Sequence, residues 1–257
     1  MNPDPSLEPE KMPFRSFSHS LIGARTRNED VVATFALGQD QFAILCDGLG
    51  GYPDGDWASA QFASAVQEAV TRHIPADELA PEHALQDWLQ RAWQTFCTAR
   101  EQQQRHEQAQ TTFALAWLSG EFTLLAHAGD SRIYCLDSQQ LHWRTRDHNL
   151  YELGILNGDI DPVQVPQPHG QHALLYRSVS SQKPLKPTLT RHAALVPGQT
   201  VVLCSDGAWL YLTDADWLTL ADRRETDARL LRCLETAVQR GGDKADNASA
   251  IAIIKTG

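Results

Sequence analysis

The stretch Phe42–Gly51, FAILCDGLGG, decides the reading of this chain. Phe42 to Cys46 is an apolar run of the length of one buried strand. Asp47 ends it with a charge, and Gly48, Gly50 and Gly51 then allow a sharp turn or a close approach to a ligand. A carboxylate at the end of a buried strand must be paired, protonated or bound to a cation. Alone, the stretch would serve equally well as an ordinary hairpin turn. A second copy of the pattern stands far downstream, at Val201–Gly207, VVLCSDG, where an apolar strand again runs into an aspartate and a glycine.

Working outward from Asp47, Val31–Leu37 and Gln41–Cys46 read as a hairpin, preceded by a polar knot, RTRNED, at Arg25–Asp30. A weaker strand pattern covers Ser16–Ala24. Two helices follow, Asp56–His73 with an apolar side of Trp57, Ala60, Phe62, Ala63, Val66 and Val70, and a longer one from Pro81 to near His106. Leu85, Leu89, Ala92, Trp93 and Phe96 mark the buried stripe of the second. Strands are then expected at 111–118, 122–129, 132–137 and 140–144, joined by turns too short for a crossover helix, so they must run antiparallel. A short helix over 149–156, an irregular proline-bearing loop over 157–172, and strands at 173–179, 185–195 and 200–204 come next. Helix near Asp214 and over 226–240, and a last strand at 248–254, complete the order. The succession predicts an α+β fold: a four-layer α-β-β-α sandwich of two antiparallel sheets flanked by helices.

The totals exclude some functions. Twenty-two basic against 32 acidic residues give a formal net charge of -10, which disfavours nucleic acid or an anionic membrane as partner. No apolar run reaches the roughly 18 residues of a membrane span, and the N-terminus lacks the apolar core of a signal peptide. The five cysteines, Cys46, Cys97, Cys135, Cys204 and Cys233, form no CxxC pair and no zinc spacing, which suits a reducing, cytoplasmic setting. The proline-rich residues 1–13 read as a flexible tail, leaving 14–257 as one domain.

Asp47, Asp130, Asp206 and Asp246 all end or flank apolar strands, and Asp30 lies in the polar knot. If those strand ends converge, the acids require cations. Oxygen donors with no histidine or cysteine set favour magnesium or manganese over zinc. Arg25, at the edge of the knot, is shaped to hold a phosphate; its plainer alternative is a surface ion pair. No GxxxxGK[ST] loop is present.

Taken together, Gly23, Arg25 and Asn28-Glu29-Asp30, Asp47-Gly48-Leu49-Gly50-Gly51, Thr111-Thr112, Gly129-Asp130-Ser131-Arg132, Asp147-His148, Ser205-Asp206-Gly207, and Asp246-Asn247 with Ser249 resemble the metal-dependent serine/threonine protein phosphatases of the 2C class, in their short bacterial form. The pieces span about residues 20 to 255 in the family's order. The resemblance implies hydrolysis of phosphoserine and phosphothreonine on proteins by a metal-activated water. It implies two core Mn2+ or Mg2+ ions: Asp47 bridging them, the Gly48 carbonyl on one, Asp206 and Asp246 on the first, and Glu29 and Asp30 reaching the pair directly or through water. Asp130 resembles the carboxylate that shares a third, weaker ion with the Asp206 position. Arg25 would bind the phosphate, and Asn247 would fix the strand end beside Asp246. The implied partners are phosphorylated proteins, substrates of a serine/threonine kinase, with the chain acting as a monomer. A non-catalytic phosphoprotein-binding relative and a small-phosphoester hydrolase are the alternatives. Leu49 stands where some members carry a histidine proposed as general acid. The other histidines read as structural, His127 on its strand and His148 as a loop-fixing partner, and the seven tryptophans read as packing.

Overall fold

The computed structural model describes residues 13–72, 79–163 and 174–256. Residues 1–12 of the expected tail, and most of the segment where the proline-bearing loop is expected, lie outside the described residues. The strands are β1 (Phe14–Leu21), β2 (Asp30–Leu37), β3 (Asp40–Asp47), β4 (Gln110–Thr111), β5 (Phe113–Leu118), β6 (Phe122–Ala128), β7 (Arg132–Leu136), β8 (Leu141–Arg144), β9 (Val179–Ser180), β10 (Thr188–Ala193), β11 (Thr200–Cys204) and β12 (Ala248–Lys255). The helices are α1 (Gly55–Arg72), α2 (Pro81–Gln102), α3 (Leu150–Asn157), α4 (Asp206–Trp209), α5 (Asp214–Leu218) and α6 (Thr226–Gly241).

One sheet has the order β1-β12-β11-β7-β8 and the other β10-β6-β5-β3-β2. Every described pairing within them is antiparallel. Strand periodicity explains the four layers. In β3, Phe42, Ile44 and Cys46 point to α1 and α2, while Ala43 and Leu45 point to the opposite sheet. In β11, Val201 and Leu203 face that same interior, and Val202 and Cys204 pack under α4, α5 and α6. Both strands are therefore apolar on both faces, which is why they read as continuous runs and not as alternating ones.

The helical faces follow the sequence with local shifts. In α1 the buried side is Ala58, Phe62, Ala63, Ala65, Val66, Ala69 and Val70; Ala60 is exposed and Trp57 only half-buried. In α2, Trp88 joins the stripe, while Trp93 is half-buried and donates from Nε1 to the Ser180 carbonyl. That helix ends at Gln102, short of His106. The strand expected over 111–118 is broken at Thr112, whose backbone N–H turns to the Asp47 carbonyl at 2.8 Å. The strand expected at 173–179 reduces, among the described residues, to an isolated bridge at Leu175 and the short β9. No described helix is long and apolar enough to cross a membrane.

Candidate active site

The sheet order sets the site. Along the rim of the first sheet, the loop after β1 carries Arg25 and Glu29, the residues before β12 are Asp246 and Asn247, Asp206 follows β11, and Asp130 precedes β7. From the second sheet, Asp30 opens β2 and lies directly across from Asp47, the last residue of β3. Arg25, Glu29, Asp47, Gly48, Asp130, Asp206, Asp246 and Asn247 all line one cleft of ≈ 640 Å³. Asp30 lies beneath it, 8% exposed.

Buried side chains and tight backbone approaches hold these groups. Asn247 is the main fastener: its Nδ2 donates to the Ile22 and Arg27 carbonyls, and its Oδ1 accepts from the Glu29 N–H at 2.9 Å. The Arg25 loop is thereby tied to the start of β12. The Thr111 hydroxyl donates to the Asp47 carbonyl, and the Thr112 hydroxyl pairs with that of Ser131. Gly48 and Gly207 are glycines for space. A Cβ at Gly48 would stand 2.4 Å from the Gly55 carbonyl oxygen, and one at Gly207 would stand 2.2 Å from that of Asn247. At Gly51 nothing approaches, so the glycine run is needed chiefly at its first position.

The electrostatics are those of crowded acids. Desolvation by burial, then repulsion from Asp30 and Asp206, raises the Asp47 pKa well above the usual carboxylate range. Burial and Asp206 do the same to Asp130. Burial pushes Asp30 up to about 7, against the hydrogen bond it accepts from Ser205 Oγ at 2.8 Å. Asp206 is pushed up to about 6, again first by burial and then by Asp246, while a hydrogen bond with Asp47 opposes the rise. Burial raises Glu29, followed by Asp56. Two arginines line the cleft: Arg27, largely exposed and 3.7 Å from Asp56, and Arg25, whose Nη2 donates to Asp246 Oδ2 at 2.5 Å. The partner of Arg25 is thus Asp246, from the far end of the chain.

The donor set fits a hard divalent cation: every candidate is oxygen, and Asp30 Oδ1 is buried without a hydrogen-bond partner. Among the described residues, no three acidic, histidine or cysteine side chains are already closed around a common point. Asp246 instead holds Arg25, and Asp30 accepts from Ser205.

The matching chain pieces that do not reach the cleft have structural work. Arg132 forks onto Asp147, Nε and Nη2 donating at 2.8 and 2.7 Å, with both residues buried. His148 Nδ1 accepts from the Gly129 N–H, and its Nε2 lies 2.9 Å from the Thr188 hydroxyl. His127 stacks on it, ring centroids 4.4 Å apart, with Nε2 on the Arg146 carbonyl. Two residues near the site have roles that the sequence does not disclose, Ser205 reading there as a motif piece and Trp209 as packing. Ser205 ties Asp30 to the Ser249 N–H. Trp209 lines the cleft beside Asp206. The only sequence signal for Trp209 was its place three residues after the strand-end aspartate.

The model of the protein phosphatase 2C family matches residues 19–244. The chain belongs to that family. The match stops before Asp246, so the last carboxylate is placed by the β12 geometry. The serine/threonine protein phosphatase PstP of Mycobacterium tuberculosis is 29% identical over 229 residues, covering 88% of this chain but only 42% of PstP. The chain therefore spans less than half the length of that relative. A crystal structure of the M. tuberculosis PstP/Ppp phosphatase superposes with a TM-score of 0.80 at 26% identity, over 95% of this chain and 99% of that one. A structure of the PstP catalytic domain in complex with two manganese ions gives 0.77 at 26% identity, with the same coverage.

Proposed function

We propose that this chain hydrolyses phosphoserine and phosphothreonine on proteins, as one catalytic domain spanning residues 14–257, with Mn2+ or Mg2+ as cofactor. The observation that carries the reading is the convergence of acids from five separate segments on one cleft that also holds Arg25. Asp47, Asp206, Asp246 and the Gly48 carbonyl would hold two ions, Glu29 and Asp30 would reach them directly or through water, and Asp130 with Asp206 would hold a weaker third. When bound, such ions activate a water and offset charge on a phosphoryl group.

The chain's own side chains define the rest. Arg25 presents a guanidinium to the cleft while Asp246 fixes its orientation, so a phosphate meets a pre-aimed fork at little entropic cost. Asn247 keeps that loop from shifting relative to Asp246. Leu49 lines the cleft and has no proton to give, so the leaving serine or threonine oxygen takes its proton from another group. The partners are phosphorylated proteins made by a serine/threonine kinase, and the setting is cytoplasmic, with the chain a monomer. Phosphate release from a phosphothreonine peptide, with manganese and after chelation, tests the reading. A folded, manganese-loaded chain that released none would leave a non-catalytic phosphoprotein binder.

A further inference from the structure

We infer that Trp209 is a positioning residue: its indole keeps the Arg132 guanidinium committed to Asp147 and so keeps that cation out of the acidic cleft. The inference rests on the divalent-cation reading above. Arg132 is two positions from Asp130 in the chain, and Asp130 lines the cleft. An arginine that swung onto Asp130 would neutralise a carboxylate proposed to hold a cation, and nothing in the chain's spacing forbids the swing.

Three sets of contacts hold it back. The Asp147 carboxylate takes Nε and Nη2 as a fork. The Tyr134 hydroxyl accepts from Nη1 at 3.3 Å. Trp209 covers a face of the guanidinium, its ring centroid 3.4 Å from Cζ, a stacking geometry that suits arginine. The same indole donates from Nε1 to the Asp130 carbonyl at 2.8 Å. Trp209 also belongs to α4, which begins at Asp206. One side chain therefore joins the Asp206 helix, the Asp130 turn and the buried ion pair. Trp209 packs in the layer beneath α6 as well, so stability alone cannot distinguish its roles; cation affinity can.

Two variants make the test. Trp209→Phe keeps an aromatic face for Arg132 but loses the N–H; Trp209→Leu fills space and loses both. Manganese binding is titrated by calorimetry, folding is followed by urea denaturation, and kcat and KM are measured on a phosphothreonine peptide. W209F should bind manganese within about threefold of wild type, and W209L should bind about tenfold more weakly or worse, because a misplaced charge competes at short range. W209L should lose kcat more than KM. W209L binding as tightly as W209F overturns the shield. A tenfold loss in W209F also overturns it, by assigning the effect to the N–H; if W209L fails to fold, Trp209→Met, which fills space without an aromatic face, takes its place in the comparison. A wild-type chain that bound no manganese and released no phosphate would overturn the phosphatase reading and the shield together, whereas normal wild-type behaviour with equal variants removes the shield only.

Discussion

Asp47 and Asp147 are both motif aspartates, yet they sit in opposite electrostatic settings. Asp147 is 2% exposed, forked by Arg132 and approached by Arg144 and Asn149. Asp47 faces Asp30, Asp206, Asp130 and Asp246, while the two arginines that line the cleft are engaged elsewhere, Arg25 by Asp246 and Arg27 by Asp56. The first cluster is neutralised by the chain itself. The second is left short of positive charge, at a cost that folding alone does not explain. A shortage of this kind marks where an external cation or substrate belongs, while a balanced buried pair marks scaffold.

The largest expected effect breaks the scaffold side. Arg132→Met leaves Asp147 buried without its fork, and unpairing a buried ion pair costs about 3–5 kcal/mol. Urea denaturation should show that loss. A variant as stable as wild type would mean that Asp147 is not balanced in the way its contacts indicate. On the cleft side the opposite sign is expected. Asp47→Asn removes one of several mutually repelling charges, so the cation-free fold should be at least as stable as wild type. Turnover should nonetheless fall about 100-fold or more, as for direct electrostatic roles in catalysis. Near-normal manganese-dependent turnover in D47N would remove Asp47 from the cation site.

The contrast between the clusters was half legible in the sequence. Asp47, Asp206, Asp130 and Asp246 were visible because an apolar strand ending in an acid is a local pattern, and β3 and β11 carry it with both faces buried. The layers were visible for the same reason: period-two runs and short turns dictate antiparallel sheets. Partnerships were not visible. Arg25 pairs with Asp246, not with Glu29 or Asp30 beside it, and that contact joins residues 221 positions apart. Thr112 interrupts its strand to serve the Asp47 carbonyl. Trp209 looks like any packing tryptophan until Arg132 is seen beneath its ring.

Arg25 sharpens the comparison at intermediate size, because it belongs to the cleft but is engaged like a scaffold residue. Arg25→Ala should weaken the phosphothreonine peptide about 10- to 150-fold, the worth of a charge-assisted contact of roughly 1.5–3 kcal/mol. Manganese affinity should hold or rise slightly, since Asp246 loses a competing cation. Lysine should rescue only in part, lacking the planar fork. Unchanged kinetics with reduced manganese affinity in steady-state and calorimetric assays would make Arg25 scaffold.

The smallest effect expected is in pH, where the acid cluster and the stacked histidines pull in opposite directions. Burial holds Asp30 up at about 7 and Asp206 at about 6, against an ordinary value of 3.8. Each therefore binds its proton more tightly folded than unfolded, so its contribution weakens the cation-free fold as pH climbs from about 4 to about 7. Burial lowers His148 to about 3, from 6.5. Its contribution is present above pH 6.5 and is lost as pH falls, so the two clusters partly cancel in a stability curve. Cation affinity separates them, because only the acids must release protons to accept a cation. Manganese should bind about tenfold more tightly at pH 8 than at pH 6, the size expected for about one proton displaced over that range. Replacing Asp30 with Asn should make the dependence shallower, with Asp47 and Asp130 still releasing protons, whereas replacing His148 with Asn should leave it intact. An affinity that stayed level from pH 6 to pH 8 in the wild-type chain would mean that the cleft acids are already ionised before any cation arrives.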